Sequence, residues 1–246
     1  MVWSKKEIRG TEPNSKIRKK AKYKKLVYWL LIDLTVAAVI FALLLYKPSR
    51  YKPIGFNSGS YKEGQVHPYL TYLSSEVYNG AHGGEPFELV VAQKGINEII
   101  TWSKWPKESE GIILSAPAVL FVPGSIILMG TAHIKGVEFV VTIGLEPRVD
   151  EQGLLNLQVT TVKVGAMNIT PLAKIIAKRM YAQRLATIPI DTEALQTKIA
   201  GSLLNDESFE PIFNIRDFLG KDDKKLRVKQ ITTQKEKLTL HLVPVS

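Results

Sequence analysis

An unbroken apolar run, LVYWLLIDLTVAAVIFALLLY from Leu26 to Tyr46, constrains this chain more than any other stretch of it. Wound as a helix rising 1.5 Å per residue, it reaches roughly 30 Å, the thickness of a bilayer's hydrocarbon. Tyr28 and Trp29 stand near its start and Tyr46 at its end, where amphipathic rings favour the membrane interface, and Lys47-Pro48 closes it. A cleaved signal peptide is the alternative. The run is longer than the usual apolar core of such peptides, however, and YKPSRYKP after it has no small-x-small cleavage pattern. The expectation is therefore one uncleaved membrane span over 26–46. Asp33 is its single acidic residue. An ionised carboxylate at mid-bilayer costs roughly 2.5–3.5 kcal/mol, so Asp33 either serves a partner helix or proton site, or sits off-centre, protonated or snorkelling to the headgroups.

Charge gives the span a direction. The net +10 is concentrated in residues 1–25, where ten Lys/Arg meet two Glu; residues 26–246 hold 23 Lys/Arg against 21 Asp/Glu. Seven cations from Lys16 to Lys25 precede the span, against Lys47, Arg50 and Lys52 just after it. The positive-inside bias then predicts a cytoplasmic N-terminus, a basic cytoplasmic tail (1–25) suited to anionic lipid, and an extracytoplasmic remainder. A nearly neutral remainder argues against a nucleic-acid partner.

Hydrophobic types at 45% exclude a wholly disordered chain, and the lack of cysteine removes disulfide scaffolds, thiolate nucleophiles and Cys-based zinc sites. Residues 47–67, rich in Lys, Pro, Gly, Ser and Tyr, read as a stalk before a domain over 68–246. Tyr69, Leu70, Leu73 and Val77 predict a helix stopped by Asn79-Gly80 and Gly83-Gly84. Phe87–Ala92 reads as a strand, and Ile96, Ile99 and Ile100 as a second short helix ending by Trp105-Pro106. From Gly111 to Val164 the period becomes that of an antiparallel meander, with turns at 116–117, 123–124, 135–136 and 150–153. In its clearest strand, Val137, Phe139, Val141, Ile143 and Leu145 alternate with a mostly polar or small set, so one face packs and the other can meet solvent. Thr170-Pro171 opens a helix with the apolar stripe Leu172, Ile175, Ile176 and Met180. Another starts at Asp191 or Thr192, carrying Leu195, Ile199 and Leu203, and a hairpin of Leu226–Ile231 and Leu238–Val243 ends the pattern. The fold class is α+β: an N-terminal transmembrane helix plus an antiparallel sheet packed on two to four helices.

Catalytic patterns are missing from the sequence: no G-x-S-x-G, no P-loop, no H-E-x-x-H. His67, His82, His133 and His241 fall in unrelated elements, and Asp150-Glu151, Asp206-Glu207 and Asp222-Asp223 lie in predicted turns with no pocket to separate their pKa values. No enzyme, cofactor or metal site is expected. Two features remain. Val119–Val122 and Ile126–Met129 put apolar groups on both faces of the sheet, which then needs cover on both sides or an apolar ligand. Val119, Phe121, Ile127, Met129, Phe139, Val141 and Ile143 are the candidate lining of such a groove. Lys174 and Lys178, with Lys163 or Arg179 and Arg184 nearby, could meet lipid headgroups or form a solvated helix face.

The segments FELVVAQKGINEII with its Ile96-Asn97 step, GSIILMGTAHIKG, LEPRVDEQGLLNLQVTTVKVGAMNITPLAKII with Gly153 and Val164-Gly165, and FEPIF resemble the YpmS-like family of single-pass bacterial envelope proteins over about residues 85–245. Gly95 and the long 47–67 segment depart from the family pattern. The resemblance implies a tubular lipid-binding (TULIP-like) fold, a curled sheet around a helix with a groove for acyl chains, and no catalytic residues. The leading expectation is thus a non-enzymatic, membrane-anchored protein whose extracytoplasmic domain binds lipid or another apolar ligand. Its rival is a scaffold holding another envelope protein, and a hydrolase assembled from distant residues is a third. A continuous apolar channel would favour the carrier and a filled interior the scaffold.

Overall fold

The computed structural model describes residues 14–49, 51, 65–102, 105–109, 111–151, 153, 155–185, 195–205, 208–209 and 225–245. Two compact units divide at Leu43/Leu44. The first contains one helix, α1 (Asn14–Leu44), whose Lys24–Leu44 portion is long and apolar enough to cross a membrane, with a mean hydropathy of 2.4 and no burial. The helix begins within the basic segment and stops two residues before Tyr46. Thr35 turns its hydroxyl back onto the Leu31 carbonyl at 2.8 Å, which satisfies it locally.

The second unit is α+β. Helix α2 (Pro68–Gly83) starts with proline at its first turn, where no amide partner is needed, and His67 caps it: Nδ1 accepts from the Tyr69 amide at 3.1 Å. Of the two predicted stop signals, Gly83-Gly84 ends α2, with Gly84 as its left-handed C-cap, and Asn79-Gly80 does not interrupt it. The helix runs on to Gly83, and Gly80 is instead the seat of the Phe87 ring, which any side chain there would strike. Strand β1 (Phe87–Ala92) leads into α3 (Gln93–Trp102). Then follow β2 (Lys107–Ser109), β3 (Ile112–Leu114), β4 (Ala118–Val122), β5 (Ser125–Ile134), β6 (Val137–Val149), β7 (Leu155–Val164) and β8 (Met167–Asn168). Helices α4 (Thr170–Leu185) and α5 (Leu195–Asn205) and the hairpin β9 (Lys225–Gln234)–β10 (Lys237–Val245) complete it. The predicted start of α5 at residues 191–192 lies outside the described residues.

Among the described residues every pairing is antiparallel, in two sheets. The smaller is ordered β1-β10-β9, so the first strand of the unit joins the last hairpin. In the larger, ordered β2-β3-β5-β6-β7-β8, the predicted meander is modified at one point. Strands β3 and β4 lie end to end along the same edge of β5, β3 against residues 132–134 and β4 against 125–129. Ser115 bridges the two: its amide donates to the Thr131 carbonyl and its hydroxyl accepts the Thr131 amide, both at 2.9 Å.

The main core gathers residues from both sheets and from α2 to α5: Leu73, Val77 and Ala81 of α2, Leu89 of β1, Ile96 and Ile100 of α3, Val119 and Phe121 of β4, Leu145 of β6, Ala173 of α4, Leu203 of α5, and Leu238, Leu240 and Leu242 of β10, among others. Burying a side chain of this size stabilises the fold by about 1.5–3 kcal/mol. A second, smaller cluster lies on the other face of the large sheet, where Ala118, Met129 and Val140 surround Tyr51. The mostly polar set of β6 is therefore not a solvent face as expected, because Val140 is 1% exposed and Gly144 is buried. Tyr51, from the segment predicted to be stalk, covers that face and places its hydroxyl 2.6 Å from Thr131 Oγ1.

Candidate functional site

Strand β4 has one edge on β5 and, among the described residues, no strand on the other, which would leave polar backbone groups unmatched beside the core. Helix α3 supplies the missing partners with side chains one turn apart. Asn97 accepts the Val119 amide on Oδ1 at 2.7 Å and donates from Nδ2 to the Val119 carbonyl at 2.8 Å. Gln93 Oε1 accepts the Phe121 amide at 2.8 Å. The β9–β10 turn closes a ring with them: the Gln93 amide donates to the Glu236 carbonyl at 2.9 Å, and the Glu236 amide donates to the Phe121 carbonyl at 3.2 Å. Helix α3 also lies close to α2. A side chain at Gly95 would collide with the Tyr69 ring, whose hydroxyl accepts the Ala92 amide at 2.7 Å and whose burial pushes its pKa above the ordinary value.

This junction borders a cleft of about 700 Å³ lined by residues of α3, by Ala118, Val119 and Leu120 of β4, and by Glu236. Its floor is apolar, and its rim includes Thr101 and the exposed pair Lys94–Glu98, 3.8 Å apart. Gln93 and Asn97 are already engaged by backbone, which leaves Lys94, Glu98, Thr101 and Glu236 as the other polar residues of the cleft's lining. Among the described residues there is no group of three or more His, Asp or Glu able to hold a metal ion.

The four histidines occupy four separate settings. His67 caps α2, His82 contacts the Tyr78 carbonyl, His133 lies 3.1 Å from Glu138, and His241 lies 3.3 Å from Glu88. Glu138 is also reached by Lys47 at 2.7 Å, and this lysine's hydrogen bond and charge hold its carboxyl below the ordinary carboxylate value. Asp150, in the β6–β7 turn, accepts from Asn156 Nδ2 at 2.8 Å. The pairs 206–207 and 222–223 lie outside the described residues.

The seven predicted groove residues divide between two faces, and the strand register shows why. Phe121 stands opposite Ile126, and Ile126 opposite Leu145; Val119 stands opposite Leu128, and Leu128 opposite Ile143. These rows point into the main core, so Val119, Phe121 and Ile143 pack there. Ile127 and Met129 occupy the alternate positions and join the Tyr51 cluster on the opposite face. Phe139 and Val141 share the side of Ile143 by alternation and are half-buried. No single groove wall can carry all seven.

Helix α4 begins differently from its sequence reading. Thr170 does not cap its own helix; its hydroxyl accepts the Val162 amide at 2.8 Å and contacts Asn168 Oδ1 at 2.6 Å, tying the helix start to β7. The helix then turns Ala173 toward the main core and leaves Leu172, Ile175 and Ile176 exposed at 52%, 63% and 47%. The Met180 side chain lies outside the described residues. Of the two predicted headgroup lysines, Lys174 is half-buried and Lys178 exposed.

Sequence reasoning passed over Tyr51, Gln93 and Asn97 as side chains that organise this unit. The i, i+4 spacing of Gln93 and Asn97 on a helix next to an apolar strand is a signal that could have identified the pair. No family model matches the chain, and no curated protein matches it.

Proposed function

We propose that this chain is a single-pass membrane protein anchored by α1, with its second unit outside the cytoplasm as a non-catalytic docking module for another envelope protein. One observation supports this reading above the carrier: the interior between the two sheets is occupied by the protein's own side chains, including Val119, Phe121 and Ile143. Interiors packed in this way leave no room for an acyl chain without displacing a strand or helix. Two of the polar side chains bordering the cleft, Gln93 and Asn97, serve the backbone of β4, which suits a structural body better than a reaction site. A TULIP-like lipid carrier, as the YpmS-like resemblance implies, is the second reading. The cleft beside β4 favours it, being of ligand size with an apolar floor.

Photoactivatable acyl-chain lipid and a protein crosslinker, applied to cells making the full chain, separate the two. A docking module gives lipid adducts on α1 and a stoichiometric protein adduct on the second unit. Lipid adducts at Val119, Leu120 or Phe121 with no protein adduct would overturn the proposal in favour of the carrier.

A further inference from the structure

Helix α4 presents an apolar stripe to solvent beside a concentration of positive charge. Leu172, Ile175, Ile176 and Arg179 fall at i, i+3, i+4 and i+7 and therefore share one helix face, and all four are exposed. Lys178, also exposed, adjoins Arg179. Residues 170–185 contain Lys174, Lys178, Arg179 and Arg184 and no acid. In fact no Asp or Glu occurs anywhere between Glu151 and Asp191. The rest of residues 44–246 holds 19 Lys and Arg against 20 Asp and Glu, so the basic excess of this part of the chain belongs to one helix.

A protein groove that accepted the stripe would also have to pair Arg179, which stands in line with the aliphatics. A lipid interface meets both demands together: aliphatic side chains enter the boundary between headgroups and acyl chains, while arginine and lysine extend to the phosphates. The charge sign selects anionic lipid. We infer that α4 is an interfacial helix that lies on an anionic membrane surface through Leu172, Ile175 and Ile176, with Lys178 and Arg179 meeting the headgroup phosphates. This inference rests on the proposed anchoring of α1 in a bilayer and is independent of which protein the second unit holds.

The test uses the full chain, which lacks cysteine and so accepts single reporters without background. Ile175→Cys and, separately, Val36→Cys carry a nitroxide. The protein is reconstituted in phosphatidylcholine vesicles with or without about one-quarter phosphatidylglycerol. Collision with oxygen and with a water-soluble nickel chelate, equilibrated across the vesicles by freeze–thaw, reports depth. The nitroxide at 175 should become several-fold less accessible to the chelate and more accessible to oxygen when the anionic lipid is present. Salt at about 1 M, which screens charge beyond roughly 3 Å, should release it. Combining Lys178→Glu with Arg179→Glu should weaken the surface contact by at least about tenfold.

A reporter at 175 that stays as open to the chelate in anionic vesicles as in detergent overturns the inference. So does shielding that is equal in neutral vesicles and insensitive to salt and charge reversal, or spin–spin broadening that reveals a second copy on the stripe. The reporter at 36 keeps the two proposals apart. If it is not in hydrocarbon, the anchor reading fails; if it is and 175 remains in water, only the α4 inference fails.

Discussion

Helices α3 and α4 have similar sequence signatures, an apolar stripe at helical spacing with polar residues between, and they meet different fates. In α3 the stripe is covered: Ile99 is buried, and Ile96 and Ile100 pack against the main core. In α4 it faces solvent. Spacing states which side chains share a face, but cover depends on a second element arriving there. For α3 that element is β4, held by Gln93 and Asn97, with the Tyr69 ring of α2 over Gly95. For α4, the Thr170 hydroxyl ties the first residue to β7, Ala173 turns to the main core and α5 packs alongside, while Leu172, Ile175 and Ile176 are left facing outward.

The sharpest way to break that comparison is to remove the clamp. Asn97→Ala leaves both the amide and the carbonyl of Val119 without partners beside the core. An unsatisfied buried group costs about 1–3 kcal/mol, so the loss should be about 3 kcal/mol in denaturant unfolding of the full chain in detergent. A loss below about 0.5 kcal/mol would mean that α3 is held by its apolar stripe alone, as its sequence suggests. Gly95→Ala tests the other side of the same helix. A methyl group there meets the Tyr69 ring, and overpacking of this kind costs about 1–3 kcal/mol. The gain in helix propensity, about 1 kcal/mol, opposes it, so a net loss of up to about 2 kcal/mol is expected by the same measurement.

Much of this arrangement was legible in the sequence. Strand β1, the turns of the β5–β6 and β6–β7 hairpins, and the final hairpin fall where alternation and turn residues place them, because those signals are local. What was not legible is non-local. The pairing of β1 with β10 spans almost the whole second unit, and the sharing of β5's edge by β3 and β4 follows from register, which period alone does not specify. The division of the candidate groove has the same origin: choosing alternate residues within each strand says nothing about which alternate of the next strand stands beside them. Gly80 reads as a stop because glycine is usually punctuation, whereas in the fold it makes room for Phe87. Tyr51 was hidden by its neighbours, since a stretch of Lys, Pro and Ser gives no sign that one tyrosine in it will cover the outer face of a sheet.

Two smaller effects follow from that outer face. Tyr51→Phe keeps the ring over Met129 and Val140 but removes the hydroxyl from Thr131, and should cost about 1 kcal/mol in thermal or denaturant unfolding. No change would show that Tyr51 contributes packing only. Smaller again is the Lys47–Glu138 pair, whose side chains are 64% and 36% exposed and therefore well screened. Its contribution carries a sign in pH. Lys47 lowers the folded-state pKa of Glu138 below its ordinary 4.5, so the stability it adds is present above that value and is lost as pH falls through the lower folded value. Lys47→Met should raise the Glu138 titration midpoint, measured by carboxyl-resolved NMR, and flatten the acid limb of stability slightly. A midpoint unmoved by this change would remove the pair from the account.

The smallest expected effect belongs to α4 and is the converse of Asn97→Ala. Burying aliphatic side chains of this size stabilises a fold by about 1.5–3 kcal/mol each, so Ile175→Ser combined with Ile176→Ser would cost several kcal/mol if the stripe were covered as that of α3 is. With both side chains about half or more exposed, the double change should alter unfolding of the full chain in detergent by no more than about 0.5 kcal/mol. A loss comparable to that of Asn97→Ala would show that α4 has an intramolecular cover, and it would remove both the contrast between the two helices and the free surface from which the membrane contact was inferred. Retained stability together with altered vesicle behaviour would place the role of these isoleucines in association rather than in folding, which is how a residue that a fold leaves exposed can still be required.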